Sequence, residues 1–200
     1  KASADGAVLV TDVGQNQMWA AQSLKLKRGQ TYLTSGGLAP MGYSMPCAIG
    51  CAFSNHERKI FSIVGDGGFH ISIQALPLIV QYKLNIMICV FNNQSLGMIT
   101  QFQHLYFENR LAGTVEEGGY SSPNIEALAK AYGIEYFSLL KDNINDIELK
   151  SKISKASCCL VEFKMDKLTT VSPKLEYNRP ISMPTPQLPD EEYIKAMKIN

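Results

Sequence analysis

The stretch KIFSIVGDGGFHISIQALPLIVQYKLNIMICVFNN (Lys59–Asn93) decides the reading of the fold. It contains two short apolar runs, Ile60–Val64 and Ile86–Phe91, separated by residues with helical spacing over Phe69–Tyr82. Short runs that stay apolar without alternating are strands buried on both faces, and a helix between two of them is the crossover of a parallel sheet. The first run ends in Gly65-Asp66-Gly67 and the second in Asn92-Asn93. If the two strands are neighbours, Asp66 and Asn93 reach the same sheet edge. Ligands of open α/β sheets bind beyond that carboxyl edge.

The same alternation extends in both directions. AVLVTD (Ala7–Asp12) reads as a strand and QNQMWAAQSLK (Gln15–Lys25) as a helix. YLTSGG (Tyr32–Gly37) is extended, and MGYSMPCAIGCAF (Met41–Phe53) carries small residues at helical spacing. EYFSLL and CCLVEFKM supply further strands, and Asn124–Tyr132 and Asn143–Lys155 further helices. The pattern predicts an α/β fold: a doubly wound, mostly parallel sheet with helices on both faces. After Met165 the composition shifts, and VSPKLEYNRPISMPTPQLP (Val171–Pro189) carries five prolines, which exclude a regular helix there. The expected organisation is a domain over residues 1–166 and an extended, Pro-rich C-terminal arm over 167–200.

The 200 residues are 46% apolar and 18% charged with a net charge of +1, the balance of a globular domain that can bury a core without metal or disulfide staples. Near-neutrality gives no electrostatic reason for a nucleic-acid or anionic-membrane partner. No stretch approaches the roughly 18 apolar residues of a membrane span, so the expected location is cytoplasmic. Five cysteines, an odd number, suit a reducing compartment. Without a CxxC pair or a histidine at ligand spacing, they read as buried thiols rather than a metal site. His56, His70 and His104 are scattered and suggest no constellation.

The two strand ends carry the chemistry. A carboxylate (Asp66) and an amide oxygen (Asn93) suit a hard cation such as Mg²⁺, which takes oxygen ligands and retains phosphate oxygens. Glycines beside Asp66 let backbone approach a phosphate, and a helix starting near Gly68 would aim its N–H groups at the same anion. GDGG alone is a common turn and NN a common loop. Their pairing after two strands points to a metal–diphosphate clamp. The phosphate motifs GxxxxGK[ST] and GxGxxG are both absent.

Gly65-Asp66-Gly67, the spacer and Asn92-Asn93 resemble the signature of thiamine-diphosphate-dependent enzymes. TDVGQNQMWAAQ (Thr11–Gln22), LTSGGLAPMGYSMPCAIG (Leu33–Gly50) and NNQSLGMITQFQ (Asn92–Gln103) resemble the large subunit of acetolactate (acetohydroxyacid) synthases in order and spacing. The resemblance implies that Mg²⁺ is held by the Asp66 carboxylate, the Asn93 side-chain oxygen and the Ser95 carbonyl. It assigns the diphosphate to Gly14, Gln15, Asn16, Gly67 and Gly68, with Gly97 and Met98 also at the cofactor. It makes Met41 the apolar wedge that bends the cofactor, where the residue alone would equally suit core packing. The backbone at Ala39 and Met41 would meet the pyrimidine, and Met98 and Phe102 would face the substrate.

Three positions depart from the family: Asn16 stands for His, Ala39 for Gly and Phe102 for Trp. Ala39 is tolerable if its φ is negative, and Phe102 puts the acceptor preference in doubt. The family's activating Glu lies on another domain, so no catalytic residue is expected in this chain. That domain, and a middle domain able to bind FAD, would precede Lys1. The chain therefore reads as a C-terminal fragment, inactive alone, of a homodimeric or larger enzyme that decarboxylates pyruvate and condenses it with a second 2-keto acid. The alternatives are a domain or natural small subunit of another 2-keto-acid decarboxylase, or a non-catalytic phosphate-binding module.

Overall fold

The computed structural model describes residues 6–198, so the outermost residues of the two expected segments, 1–5 and 199–200, lie outside it. The strands are β1 (Val8–Thr11), β2 (Thr31–Thr34), β3 (Ile60–Gly65), β4 (Ile86–Asn92), β5 (Glu135–Leu139) and β6 (Cys159–Lys164). They form one six-stranded sheet in the order β2-β1-β3-β4-β6-β5. Every pairing is parallel, where a mostly parallel sheet was expected. The helices of this unit are α1 (Gln15–Ser23), α2 (Ser44–Ser54), α3 (Asp66–Ile71), α4 (Leu76–Gln81), α5 (Gly97–Tyr106), α6 (Ile125–Ala131) and α7 (Ile147–Lys155).

Successive side chains of a strand point to opposite faces, so the apolar runs feed two cores. Ile60, Val64, Ile86, Ile88, Val90 and Leu160 pack on one face against Met45 and Ala48 of α2, Phe69 of α3, Leu76 and Ile79 of α4, and Ile125 of α6. Phe61, Met87, Cys89, Cys159 and Val161 point the other way and meet Ile153 of α7. On that second face Trp19 of α1 reaches Phe91, ring centroids 6.2 Å apart, and Phe91 stacks on Phe163 at 4.7 Å. Both sides of the central strands are thus dry, which explains why their sequences are continuously apolar.

Three helix readings need correction. Phe69–Tyr82 is not one helix but α3, a 3₁₀ turn over Ile73–Ala75, and α4. The break falls at Ser72, whose backbone leaves the helical region while its hydroxyl donates to the Gly68 carbonyl at 2.8 Å. Pro77 then sits in the first turn of α4, where its missing N–H is harmless. α3 also starts at Asp66, earlier than Gly68. α7 begins at Ile147 rather than Asn143, because the Asp146 side chain accepts the Leu149 N–H at 3.0 Å and caps the helix there. α5 occupies residues to which no helix was assigned: GMITQFQHLY opens on Gly and is rich in β-branched and aromatic residues, all weak helix formers.

The chain divides into two compact units between Thr169 and Thr170. In the second, Lys174 and Thr185 form an antiparallel bridge. Its last element, α8 (Asp190–Met197), departs from the extended arm expected over 167–200. Asp190, Glu191 and Glu192 fill its first turn, where the helix dipole favours acids. Among the described residues no helix is long and apolar enough to cross a membrane.

Candidate functional site

β3 and β4 are neighbours, in register Val64 to Val90 and Gly65 to Phe91, so Asp66 and Asn93 follow directly from adjacent strand ends. β1 flanks β3 on its other side and delivers the turn that opens α1. Above these ends lies a cavity of about 260 Å³. Its walls come from the β1–α1 turn (Gly14, Gln15, Asn16), the loop before α2 (Ala39, Met41), the β3–α3 junction (Asp66, Gly67, Gly68) and the β4–α5 junction (Asn93, Ser95, Gly97, Met98). Of the residues singled out in the sequence, Phe102 is the one that does not line it. Phe102 lies one turn farther along α5, partly exposed, against Tyr106 (centroids 4.6 Å) and Phe107 (5.9 Å).

Asp66 is the first residue of α3 and only 1% exposed. Burial raises the pKa of its carboxyl above the ordinary value, opposed by the Tyr120 hydroxyl, which donates to Oδ2 at 2.7 Å, and by nearby backbone N–H groups. Among the described residues it has no ion-pair partner. A buried carboxylate without a cation is costly unless a cation can join it.

Asn93, also buried, is aimed by Gln15. The Gln15 amide nitrogen donates to Gln101 Oε1 (3.3 Å) and to the Thr169 carbonyl (3.2 Å). That leaves Gln15 Oε1 to accept from Asn93 Nδ2 at 3.2 Å. The Asn93 oxygen, which accepts nothing from the described residues, remains as a ligand atom. An acid, an uncommitted amide oxygen and the adjoining Ser95 backbone form a donor set suited to a hard cation.

Close approach demands glycine at several cavity positions, Gly67 and Gly97 among them. A Cβ at Gly67 would come within 2.7 Å of Leu96 Cδ2, 3.2 Å of Met41 Cε and 3.3 Å of the Tyr120 hydroxyl. One at Gly97 would stand 2.1 Å from Gln15 Oε1 and 2.6 Å from Asn93 Nδ2.

Residues that sequence reasoning passed over complete the site. Asp12, fully buried at the end of β1, accepts the N–H groups of Val13 and Gly42 (both 2.9 Å) on Oδ1 and of Ser44 (2.8 Å) on Oδ2. Its pKa is raised by burial and held back by those same bonds. Asp12 thereby moors the loop that carries Met41. An acid directly after the first strand was the available signal. Tyr120, Trp19, Phe91 and Leu96 also reach the site, and only their tertiary placement reveals it. Ala39 does not meet the condition under which it would replace glycine without strain: its φ is +50°, so a Cβ stands where glycine would be at ease.

Residues 12–164 match the family described as thiamine pyrophosphate enzyme, C-terminal TPP binding domain. The chain is 37% identical over 165 residues to a probable acetolactate synthase large subunit of Methanococcus aeolicus, covering 82% of this chain and 27% of that protein. It is 41% identical over 152 residues to the acetolactate synthase large subunit of Cyanidium caldarium (76% of this chain, 25% of the relative). It is 36% identical over 166 residues to the mitochondrial acetolactate synthase catalytic subunit of Saccharomyces cerevisiae (83% and 24%). The chain thus spans about a quarter of the length of these relatives.

Proposed function

Because the chain belongs to the thiamine pyrophosphate enzymes as their C-terminal, TPP-binding domain, we propose that its cavity binds thiamine diphosphate through Mg²⁺ and serves an acetolactate-synthase-like enzyme. The observation that carries this is Asp66: a buried carboxylate with no ion-pair partner among the described residues, lining the same cavity as an Asn93 side-chain oxygen that accepts nothing from them. Asp66, Asn93 and the Ser95 carbonyl hold the cation. The Tyr120 hydroxyl fixes the carboxylate oxygen it contacts, and Gln15 orients Asn93. Gly67 and Gly97 let Leu96, Met41, Gln15 and Asn93 close in on the backbone that bounds the cavity. Met41, half-buried at the cavity wall, supports the organic part of the cofactor. When bound, the cofactor supplies an electron sink for the carbanion left by decarboxylation of a 2-keto acid.

The names of the relatives support pyruvate as the donor and a second 2-keto acid as acceptor. Residues outside this chain are proposed to provide the activating Glu, a middle domain able to take FAD, and the contacts of a homodimer. Isothermal titration of the chain with thiamine diphosphate, with and without Mg²⁺, tests the reading. Binding that requires both together is expected. Equal binding without Mg²⁺, or equal binding of inorganic phosphate, would leave a general phosphate-binding module instead.

A further inference from the structure

We propose that Glu162 is a positioning residue for the loop Asn93–Ser95, acting through the side chain of Asn92. The link to metal binding rests on the reading above; the positioning itself does not. Glu162 of β6 and Asn92, the last residue of β4, are both buried, at 4% and 7% exposure. The register sets Glu162 opposite Val90 and Lys164 opposite Asn92, which brings Glu162 and Asn92 to one face of the sheet. Glu162 Oε1 accepts from Asn92 Nδ2 at 2.6 Å, and Oε2 accepts from the hydroxyl of Tyr136 on β5. Lys164 Nζ lies 3.9 Å from Oε2.

A carboxylate offers acceptors alone, so it selects one of the two orientations of the Asn92 amide: nitrogen toward Glu162, oxygen toward the loop. That oxygen accepts the Gln94 N–H at 3.0 Å and the Ser122 hydroxyl at 3.4 Å. With the amide reversed, its NH₂ would face the Gln94 N–H, donor against donor. Gln94 has φ +53°, a left-handed conformation that a non-glycine residue keeps only where its surroundings enforce it. The Asn92–Gln94 bond enforces it here. Gln94 is flanked by Asn93 and Ser95, both of which line the cavity. Glu162, which does not line the cavity, therefore acts on it through a single amide.

The test uses the 200-residue chain with Glu162→Leu, Asn92→Ala, Glu162→Gln and Tyr136→Phe, read by hydrogen exchange at the Gln94 amide and by Mg²⁺-dependent binding of thiamine diphosphate. Glu162→Leu and Asn92→Ala should each speed Gln94 exchange at least tenfold and weaken binding at least tenfold, and the double variant should do no worse than Asn92→Ala. Glu162→Gln keeps an acceptor toward Asn92 with its NH₂ turned to the Tyr136 hydroxyl oxygen, which can accept as well as donate, and Tyr136→Phe keeps the carboxylate. Both should stay within twofold on both readouts, although Tyr136→Phe melts earlier. If Glu162→Leu does not fold, Glu162→Asp, one methylene short of Asn92, takes its place with the same expectation. Unchanged Gln94 exchange in Asn92→Ala or in the Glu162 variant overturns the proposal, as does a loss in Tyr136→Phe equal to theirs. Faster exchange with unchanged affinity overturns the link to the metal. Failure of the unaltered chain to bind cofactor defeats the functional reading, while Gln94 exchange still decides the positioning.

Discussion

Replacing Gly97 by alanine separates the stability of the fold from the geometry of the site. The new Cβ would stand 2.1 Å from Gln15 Oε1 and 2.6 Å from Asn93 Nδ2, inside the 3.0 Å that real side-chain carbons observe. The backbone of α5 is held by its own turns, so the Gln15 amide has to retreat by about 1 Å, and its bond to Asn93 breaks. Losing that bond costs about 1 kcal/mol. Alanine in place of glycine in the first turn of a helix returns up to about 1 kcal/mol. The two nearly cancel, so the melting temperature should move by no more than about 4 °C. Affinity has no such compensation. Asn93 loses the partner that turns its oxygen toward the cation, and loss of such orienting contacts typically weakens metal binding about 10–100-fold. Calorimetric titration of Mg²⁺ at saturating thiamine diphosphate, paired with thermal melts of the cofactor-free chain, measures both quantities. Affinity within twofold of the unaltered chain would refute the role given to the Gln15–Asn93 bond. A fall of more than about 10 °C would show instead that Gly97 is a packing position.

Two further outcomes follow from the site. Burial raises the folded-state pKa of Asp66, so between its unfolded value of 3.8 and that higher value the folded chain holds the extra proton. Cofactor-free stability should therefore fall as pH rises through that window. Asp66→Asn should reduce this decline, leaving the part that buried Asp12 contributes in the same direction, and melt higher than the unaltered chain at neutral pH, yet lose Mg²⁺-dependent binding; a lower melting temperature at neutral pH would contradict the cost assigned to the buried charge. Ala39→Gly relieves a left-handed φ that costs a side chain about 1–2 kcal/mol, partly offset by the greater freedom of glycine in the unfolded chain. A rise of about 2–4 °C in melting temperature is expected, and a fall would show that the alanine methyl makes compensating contacts.

The sequence by itself determined the sheet and its functional edge. Ile60–Val64 and Ile86–Phe91 are apolar without alternation because both faces of β3 and β4 are covered, and that requirement is visible residue by residue. Glycine and polar residues at their ends marked Asp66 and Asn93, since buried backbone turns and uncompensated polar groups are rarely placed there without use. Three matters were decided by tertiary structure alone. The long helix reading over Phe69–Tyr82 failed because the backbone turns out of the helical region at Ser72, where the hydroxyl and the N–H both bond the Gly68 carbonyl, a local break that periodicity does not register. α5 escaped notice because its weak intrinsic propensity is overridden by its setting: Thr100 is buried, and its hydroxyl bonds Ser95 Oγ at 2.7 Å. The side chains that fix Asp66 and Asn93, Tyr120 and Gln15, and the one that fixes the neighbouring Asn92, Glu162, are 54, 78 and 70 positions from their partners. Local pattern reports what a residue needs from its neighbours along the chain. Which distant side chain supplies a missing hydrogen bond depends on how the strands are ordered in the sheet, and only the folded chain specifies that.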